Sequence, residues 1–120
     1  MKTNPNHPQA LYELGDLLAS GQDTEAAAKY FVQALKLDPL MIEPRFALEK
    51  IYTDGGQYRK SIEQLTAILK NHPDQSTAHY RLAQVYRKMG RVEDSQRELA
   101  LFNRSRQQPR PPQKESSAVR

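Results

Sequence analysis

The residues in this sequence whose chemistry suits metal binding or proton transfer are its three histidines, His7, His72 and His79. His7 and His72 each precede a proline, and no two histidines stand four residues apart, the spacing that puts two ligands on one helix face. The sequence contains no cysteine, which removes a thiolate nucleophile and a Cys-based zinc site and leaves the redox compartment open. We therefore interpret the histidines as capping or solvent-exposed side chains and predict no metal site.

The glycines and serines offer no second route to a reaction. No G-x-G-x-x-G cluster is present to cradle a phosphate, and a Ser-His-Asp site would have to be collected from scattered loop serines. With 120 residues and a mean hydropathy of −0.83, the chain has apolar residues for little more than one packed layer, which leaves little room for a catalytic cleft. We predict that the protein is not an enzyme and uses no catalytic residue and no cofactor.

The sequence also lacks the signals of membrane insertion and export. No stretch approaches the roughly 18 apolar residues of a membrane span. The start of the chain, with Pro5 and Pro8, lacks the apolar run of a signal peptide. We expect no membrane segment and, by default, a cytoplasmic location.

A period of 34 residues organises the chain. The tetrapeptides KTNP, KLDP and KNHP at residues 2–5, 36–39 and 70–73 share a lysine and a proline in phase. Apolar residues coincide at the same period: Tyr12, Phe46 and Tyr80; Leu14, Leu48 and Leu82; Phe31, Leu65 and Leu99. Self-similarity of this kind indicates an array of stacked repeats.

Each repeat has the pattern of two helices. In the first unit the apolar residues recur at steps of three and four, as in Leu11, Leu14 and Leu18, and again after the midpoint. The midpoints carry Gly21, Gly55 with Gly56, and Gly90, for which we predict left-handed C-cap conformations. The in-phase proline ends the second helix. Each unit is therefore predicted to be a helical hairpin, and the fold to be all-α.

The first unit, LYELGDLLASGQDTEAAAKYFVQALKLDP, resembles the tetratricopeptide repeat. The matching positions are Leu11, Leu14, Gly15, Leu18, Ala27, Phe31, Ala34 and Pro39. The resemblance covers residues 8 to about 107 and implies a right-handed superhelical array of helix-turn-helix hairpins. In that family the first helices of the hairpins line a concave face.

The repeat register divides the chain into units with distinct ends. We assign the three repeats to residues 8–41, 42–75 and 76–107. Residues 1–7 are interpreted as the remnant of a preceding repeat, with a natural N-terminal arm as the alternative. Residues 108–120 contain prolines and charges, with no apolar residue before Ala118, and are predicted to form a disordered basic tail.

Two expectations concern packing. Glu49 and Ala83 stand where the first unit has Gly15, so we expect the Glu49 carboxylate to bend outward and the second hairpin to pack less tightly. Without a preceding hairpin, the outer side of the first helix, including Leu11 and Leu18, would lose cover. We therefore expect self-association through the first repeat, or a gain in stability when a preceding hairpin is restored.

The resemblance also implies which side chains line the concave face. The candidate peptide-binding residues are Tyr12, Glu13, Asp16, Phe46, Lys50, Tyr80, Arg81, Gln84, Arg87 and Lys88. The other concave positions are Gln9, Ala19, Ser20, Glu43, Ala47, Thr53, Asp54 and Thr77. Tyr12, Phe46 and Tyr80 form an aromatic stripe, which either contacts a ligand or packs between hairpins.

Charge is distributed unevenly along the repeats. Residues 8–41 contain two Lys or Arg against five Asp or Glu, residues 42–75 five against five, and residues 76–120 ten against four. The concave face is thus expected to change from acidic to basic. It would orient a partner segment whose basic group lies at the first unit, with Glu13 and Asp16, and whose acidic group lies at the third unit, with Arg81, Arg87 and Lys88. A bulky apolar residue of the partner would lie over Phe46.

The leading hypothesis is a protein-interaction module, part of a longer polypeptide, that holds a partner peptide or helix on the concave face. The alternative is electrostatic binding of nucleic acid or an anionic surface, which would weaken steeply with salt. Its candidate residues are Arg81, Arg87, Lys88, Arg91, Arg97, Arg104, Arg106 and Arg110. The alternative ranks lower because Glu93, Asp94 and Glu98 interrupt the basic surface.

Overall fold

Six α-helices make up the part of the chain that the computed structural model describes, residues 7–107. They are α1 (Pro8–Ser20), α2 (Thr24–Leu37), α3 (Glu43–Asp54), α4 (Tyr58–Asn71), α5 (Ser76–Lys88) and α6 (Val92–Gln107). No strand occurs among these residues. The prediction of an all-α fold is confirmed. The prediction of a repeat remnant in residues 1–7 falls, apart from His7, outside the described residues, and so does the prediction of a disordered tail in residues 108–120.

Side-chain hydrogen bonds cap the first turns of α1 and α2, and a proline occupies the first turn of α3. The His7 Nδ1 atom accepts a hydrogen bond from the Ala10 N–H at 3.2 Å, as a capping histidine should. The Asp23 Oδ1 atom accepts from the Ala26 N–H at 3.3 Å at the start of α2. Pro44 lies in the first turn of α3, where its missing N–H leaves no intrahelical bond unmade.

The turn inside each hairpin repeats with the same geometry. Gly56 and Gly90 have left-handed φ angles of 77° and 80°, and the corresponding residue of the first hairpin is Gln22, with φ of 68°. Gly21 and Gly55 have φ of −83° and −89°. The prediction of a left-handed conformation at Gly21 and Gly55 is therefore wrong, because the turn requires it one residue later. In the first hairpin a non-glycine residue occupies that place.

Apolar clusters join each hairpin to the next. One buried cluster contains Ala27 and Phe31 of α2 with Leu48 of α3. The other joins residues of α4 and α5, and its members are Leu65, Ile68, Ala78, Leu82 and Val85. Each helix packs mainly on its neighbours in sequence, as in a solenoid whose stability comes from nearest-neighbour interfaces.

The first hairpin depends on a close approach at Gly15. A Cβ atom built at Gly15 would lie 2.6 Å from Cε1 of Phe31, a ring that is fully buried. Glycine therefore allows α1 to pack directly on the Phe31 ring of α2.

The outer side of α1 differs from the prediction. Leu11 is buried and Leu18 is partly buried against the first apolar cluster, so neither residue lacks cover. The exposed leucine of this helix is Leu17.

Candidate functional site

Residues of α1, α3 and α5, with neighbouring residues of the first hairpin turn and of α2, enclose an open cavity of about 800 Å³, which we call the concave groove. Its lining residues are Tyr12, Asp16, Ala19, Ser20, Gln22, Thr24, Phe31, Phe46, Ala47, Lys50, Ile51, Asp54, Thr77 and Arg81. Ligand pockets commonly have volumes of about 300–1,000 Å³. The groove can therefore accommodate a few side chains of a partner segment.

The structure brings half of the candidate peptide-binding residues together. Tyr12, Asp16, Phe46, Lys50 and Arg81 line the groove. The other candidates, Glu13, Tyr80, Gln84, Arg87 and Lys88, do not line it. Sequence reasoning missed Gln22, Thr24, Phe31 and Ile51 as lining residues, because none of them occupies a concave position of the family pattern. The groove is thus centred on the first two hairpins.

The aromatic stripe is divided between the groove and the hairpin interfaces. The ring centroids of Tyr12 and Phe31 are 5.7 Å apart, so Tyr12 packs on α2 while it also lines the groove. Phe46 is partly buried and packs against the cluster formed by α4 and α5. Tyr80 stacks on Phe102 of α6, with 5.2 Å between centroids. Tyr12 and Phe46 are therefore the aromatic residues of the stripe that a ligand in the groove can contact.

Arg81, which lines the groove, forms an ion pair with the buried Glu49. Glu49 is 1% exposed, and its carboxylate accepts hydrogen bonds from Arg81 Nε at 2.7 Å and Arg81 Nη2 at 3.1 Å. Thr53 Oγ1 also donates to Glu49 Oε2, at 2.8 Å, and lies 2.7 Å from Ser61 Oγ. The prediction that the Glu49 carboxylate bends outward is wrong, because the arginine one repeat later satisfies it inside the fold.

This pair changes the expected electrostatics of the groove. The Arg81 guanidinium was expected to present positive charge to a partner, but the Glu49 carboxylate already binds it through two nitrogens. Of the other charged lining residues, Asp16 and Asp54 are acidic and Lys50 is basic. The groove therefore has more acidic than free basic groups.

The Tyr12 phenol lies near several carboxylates of α1 and α3. Burial raises the pKa of the Tyr12 phenol above its usual value, and the carboxylates of Asp16, Glu43 and Glu13 raise it further. Negative charge therefore surrounds the ring that lines the first end of the groove.

The basic residues of the third hairpin are partly neutralised. Arg91 Nε and Arg97 Nη1 donate to the two oxygens of Asp94 at 2.7 and 2.8 Å. Hydrogen bonds from Arg97, and then from Arg91, lower the pKa of the Asp94 carboxyl below its usual value. Arg87 and Lys88, in the last turn of α5, are exposed and form no ion pair within the described residues. Arg104 and Arg106, in the last turn of α6, are likewise exposed and in no ion pair among these residues. The unpaired positive charge of this hairpin therefore lies at the ends of α5 and α6.

His79 is a buried residue whose two ring nitrogens both have hydrogen-bond partners. It is buried, with Nδ1 2.8 Å from Glu98 Oε1 and Nε2 2.8 Å from the carbonyl oxygen of Pro73. Both partners are acceptors, so only the protonated ring donates to both. The expectation of a capping or exposed side chain is wrong for His79, because these two acceptors tie it to α6 and to the connection before α5.

The part of the chain between residues 7 and 107 has neither a metal site nor a membrane-spanning helix. It contains no group of three or more His, Cys, Asp or Glu side chains placed to hold a metal ion. None of its helices combines the length and the apolar character that crossing a membrane requires.

Stacked helical hairpins with an open groove define a helical-repeat scaffold of the kind that serves protein–protein interaction. Two family models described as tetratricopeptide repeat match the sequence, one over residues 52–112 and the other over residues 8–40. The chain belongs to the tetratricopeptide repeat family, which confirms the resemblance seen in its repeats. This family is a non-enzymatic scaffold of protein–protein interaction, and a general interaction role follows for the chain.

Two curated relatives contain similar repeats. The chain is 28% identical over 102 residues to the tetratricopeptide repeat and J domain-containing co-chaperone DNJ1 of Cryptococcus neoformans, covering 85% of this chain and 19% of that protein. It is 35% identical over 68 residues to the cellulose synthase operon protein C of Pseudomonas fluorescens, covering 57% of this chain and 5% of that protein. The chain thus spans a small part of the length of either relative.

Solved structures of MamA share the fold. One crystal structure superposes with a TM-score of 0.82 at 17% identity, covering 86% of this chain and 60% of the MamA chain. Another gives a TM-score of 0.80 at 16% identity and covers 90% of this chain and 62% of the MamA chain. At this level of identity the likeness establishes the helical-solenoid fold.

Proposed function

We propose that the chain holds a short segment of a partner protein in the concave groove. The observation that carries the proposal is that Tyr12 and Phe46 share one open cavity with the charged residues Asp16, Lys50 and Asp54. Aromatic rings supply apolar contact area, and charges around them select and orient a ligand. Such mixed lining is typical of a surface that recognises a peptide.

The charges of the groove favour a particular arrangement of the partner. A basic group of the partner fits near Asp16 and Asp54, and a bulky apolar side chain fits over Phe46. The hypothesis drawn from the sequence placed an acidic partner group at Arg81, Arg87 and Lys88. Because Glu49 binds Arg81, we now place that group at Arg87 and Lys88, beyond the cavity.

Electrostatics alone would not hold the partner. An exposed ion pair contributes about 0–1 kcal/mol, so affinity depends on the apolar contacts, and charge chiefly sets orientation and association rate. A partner with the reversed order of charges should therefore bind more slowly and more weakly than one with the favoured order.

Selection of peptides from a displayed random library against the chain, followed by fluorescence anisotropy, tests the groove. The groove variant Asp16→Lys/Lys50→Glu leaves the net charge unchanged. The matched control Arg59→Glu/Glu63→Lys makes the same charge exchange between exposed residues of α4, which do not line the groove. We expect the selected peptides to bind the groove variant about tenfold or more weakly, and the control within about twofold of the parent chain.

Both double variants should retain the parent's circular dichroism and unfolding midpoint, because all four replaced side chains are exposed. Equal binding of the peptides to the parent, the groove variant and the control would show that they bind another surface and would refute the proposal.

A further inference from the structure

The first helices of the three hairpins carry apolar residues at the same three register positions. These are Ala10, Leu14 and Leu17 in α1; Pro44, Leu48 and Ile51 in α3; and Ala78, Leu82 and Val85 in α5. We call the α1 trio the α1 outer face. None of its residues lines the concave groove, so this surface is separate from the proposed peptide site.

Exposure differs sharply between equivalent positions of the trio. Val85 is 1% exposed and its equivalent Leu17 is 69% exposed. Leu48 and Leu82 are buried, whereas Leu14 in the same register is only partly buried. Of the six equivalents in α3 and α5, all are buried except Ile51, which is partly buried. The α1 trio is therefore less covered than its equivalents, above all at Leu17.

The structure also shows what covers the equivalent surfaces. The α5 trio packs in a cluster with α4, to which Ile62 and Leu69 contribute. Leu48 and Ile51 of the α3 trio pack in a cluster with α2, to which Ala28 and Leu35 contribute. In both cases the covering element is the second helix of the preceding hairpin, and it supplies two apolar residues seven positions apart.

We propose that the α1 outer face is a docking surface for an amphipathic helix of the same kind, the second helix of a further hairpin that presents two apolar residues seven positions apart. This inference does not depend on the groove proposal. It rests on the continuity of the repeat. The same apolar surface occurs on α1, α3 and α5, and the second helix of the preceding hairpin covers it on α3 and α5 but not on α1.

No other segment of this chain has the required chemistry. Residues 1–6 are too few to carry two residues seven apart. In residues 108–120 the pairs at that spacing are Pro111 with Ala118 and Pro112 with Val119, and each begins with a proline, which a helix interior does not tolerate. In α6 the positions equivalent to Ile62 and Leu69 are Gln96 and Asn103, which are exposed and polar. A second copy stacked head to tail would therefore place amides against Leu17. The helix that fits comes from outside these 120 residues.

The absence of cysteine makes a site-specific test possible. In the full chain, Leu17→Cys introduces a single thiol on the α1 outer face, and a maleimide reagent measures its exposure. Inserting a copy of residues 42–74 between Asn6 and His7 places copies of Ile62 and Leu69 in register with this face. We expect the insertion to slow labelling of the Leu17→Cys thiol by about tenfold or more, since labelling would then need local opening.

Two controls isolate the docking contact. The same insertion with glutamine and asparagine in place of its copied Ile62 and Leu69, the residues found in α6, should leave labelling of Leu17→Cys close to the parent rate. Leu37→Cys, at the exposed end of α2, should react at one rate in all three backgrounds. Equal labelling of Leu17→Cys with the apolar and the polar insertion would overturn the proposal. So would protection of this thiol in the unextended chain that grows with protein concentration, because a second copy would then be the occupant.

Discussion

Removing Arg81 should destabilise the protein more than removing Glu49, although the two side chains form one ion pair. Glu49 is 1% exposed, whereas the Arg81 side chain is 32% exposed. Without Arg81 the carboxylate stays buried and keeps only the hydrogen bond from Thr53, at 2.8 Å. Without Glu49 the guanidinium can turn toward water in the groove.

The burial of the side chain that remains sets how much each replacement lowers the free energy of unfolding. Leaving a buried charge unpaired typically costs about 3–5 kcal/mol, which we expect for Arg81→Met. For Glu49→Gln we expect about 1–2 kcal/mol, because the remaining arginine is partly solvated and the amide oxygen still accepts one hydrogen bond. Replacing both residues, as Glu49→Leu/Arg81→Met, should return the stability to within about 1 kcal/mol of the parent, because an apolar pair of similar volume avoids desolvating two charges.

Urea unfolding followed by far-ultraviolet circular dichroism measures the free energy of unfolding of the parent, both single variants and the double variant. We expect the double variant to be more stable than Arg81→Met, because leucine at position 49 removes the carboxylate that Arg81→Met leaves buried and unpaired. This expectation is refuted if Glu49→Gln costs more than Arg81→Met, or if the double variant is no more stable than Arg81→Met. Either result would mean that an unpaired Glu49 carboxylate is not what destabilises Arg81→Met.

Three further outcomes are expected. Gln22→Gly should raise the free energy of unfolding by about 0.5–1 kcal/mol in the same urea assay, because Gln22 has a left-handed φ of 68°; an unchanged or lower value would contradict the strain. Gly15→Ala should lower it by about 1–3 kcal/mol, because the new Cβ atom would lie 2.6 Å from the buried ring of Phe31; a neutral effect would mean that the ring moves aside freely. Asp16→Asn should lower the raised pKa of Tyr12, which ultraviolet absorbance titration measures with Tyr12→Phe as the reference. Because the pKa of Tyr12 is raised in the folded state, this residue stabilises the fold below its ordinary pKa of about 10. The stabilisation is lost as the pH rises through the higher folded-state pKa.

The hairpins could be predicted from the sequence because each is specified locally. Apolar steps of three and four, the in-phase prolines and the coincident apolar positions identify six helices without reference to distant contacts. The register also identifies which helices lie side by side. That was enough to place Tyr12, Asp16, Phe46, Lys50 and Arg81 along one groove, since a concave position depends only on its place in the repeat.

The sequence-based predictions that proved wrong concern residues whose environment depends on several helices at once. Glu49 occupies a packing position, and its partner Arg81 is 32 residues away. His79 has its partners on α6 and in the preceding connection. A charged residue in a packing position could have suggested a buried partner one repeat later, and Arg81 is the basic residue that the register offers. No local pattern signalled the shift of the left-handed residue to Gln22.

Charge reversal at Arg81 is a poor way to locate the ligand surface, because this residue also stabilises the fold. Arg81 lines the groove, yet its guanidinium binds the buried Glu49 carboxylate, so a partner that captured it would leave that carboxylate unpaired. Reversing the charge at Arg81 would place two carboxylates together inside the fold, and lost binding could then result from unfolding. Lys50 and Arg87 are exposed and take part in no ion pair within residues 7–107. Charge reversal at those two residues changes what a ligand meets while leaving the buried pair intact, so their effects on binding can be assigned to the groove and to the end of α5.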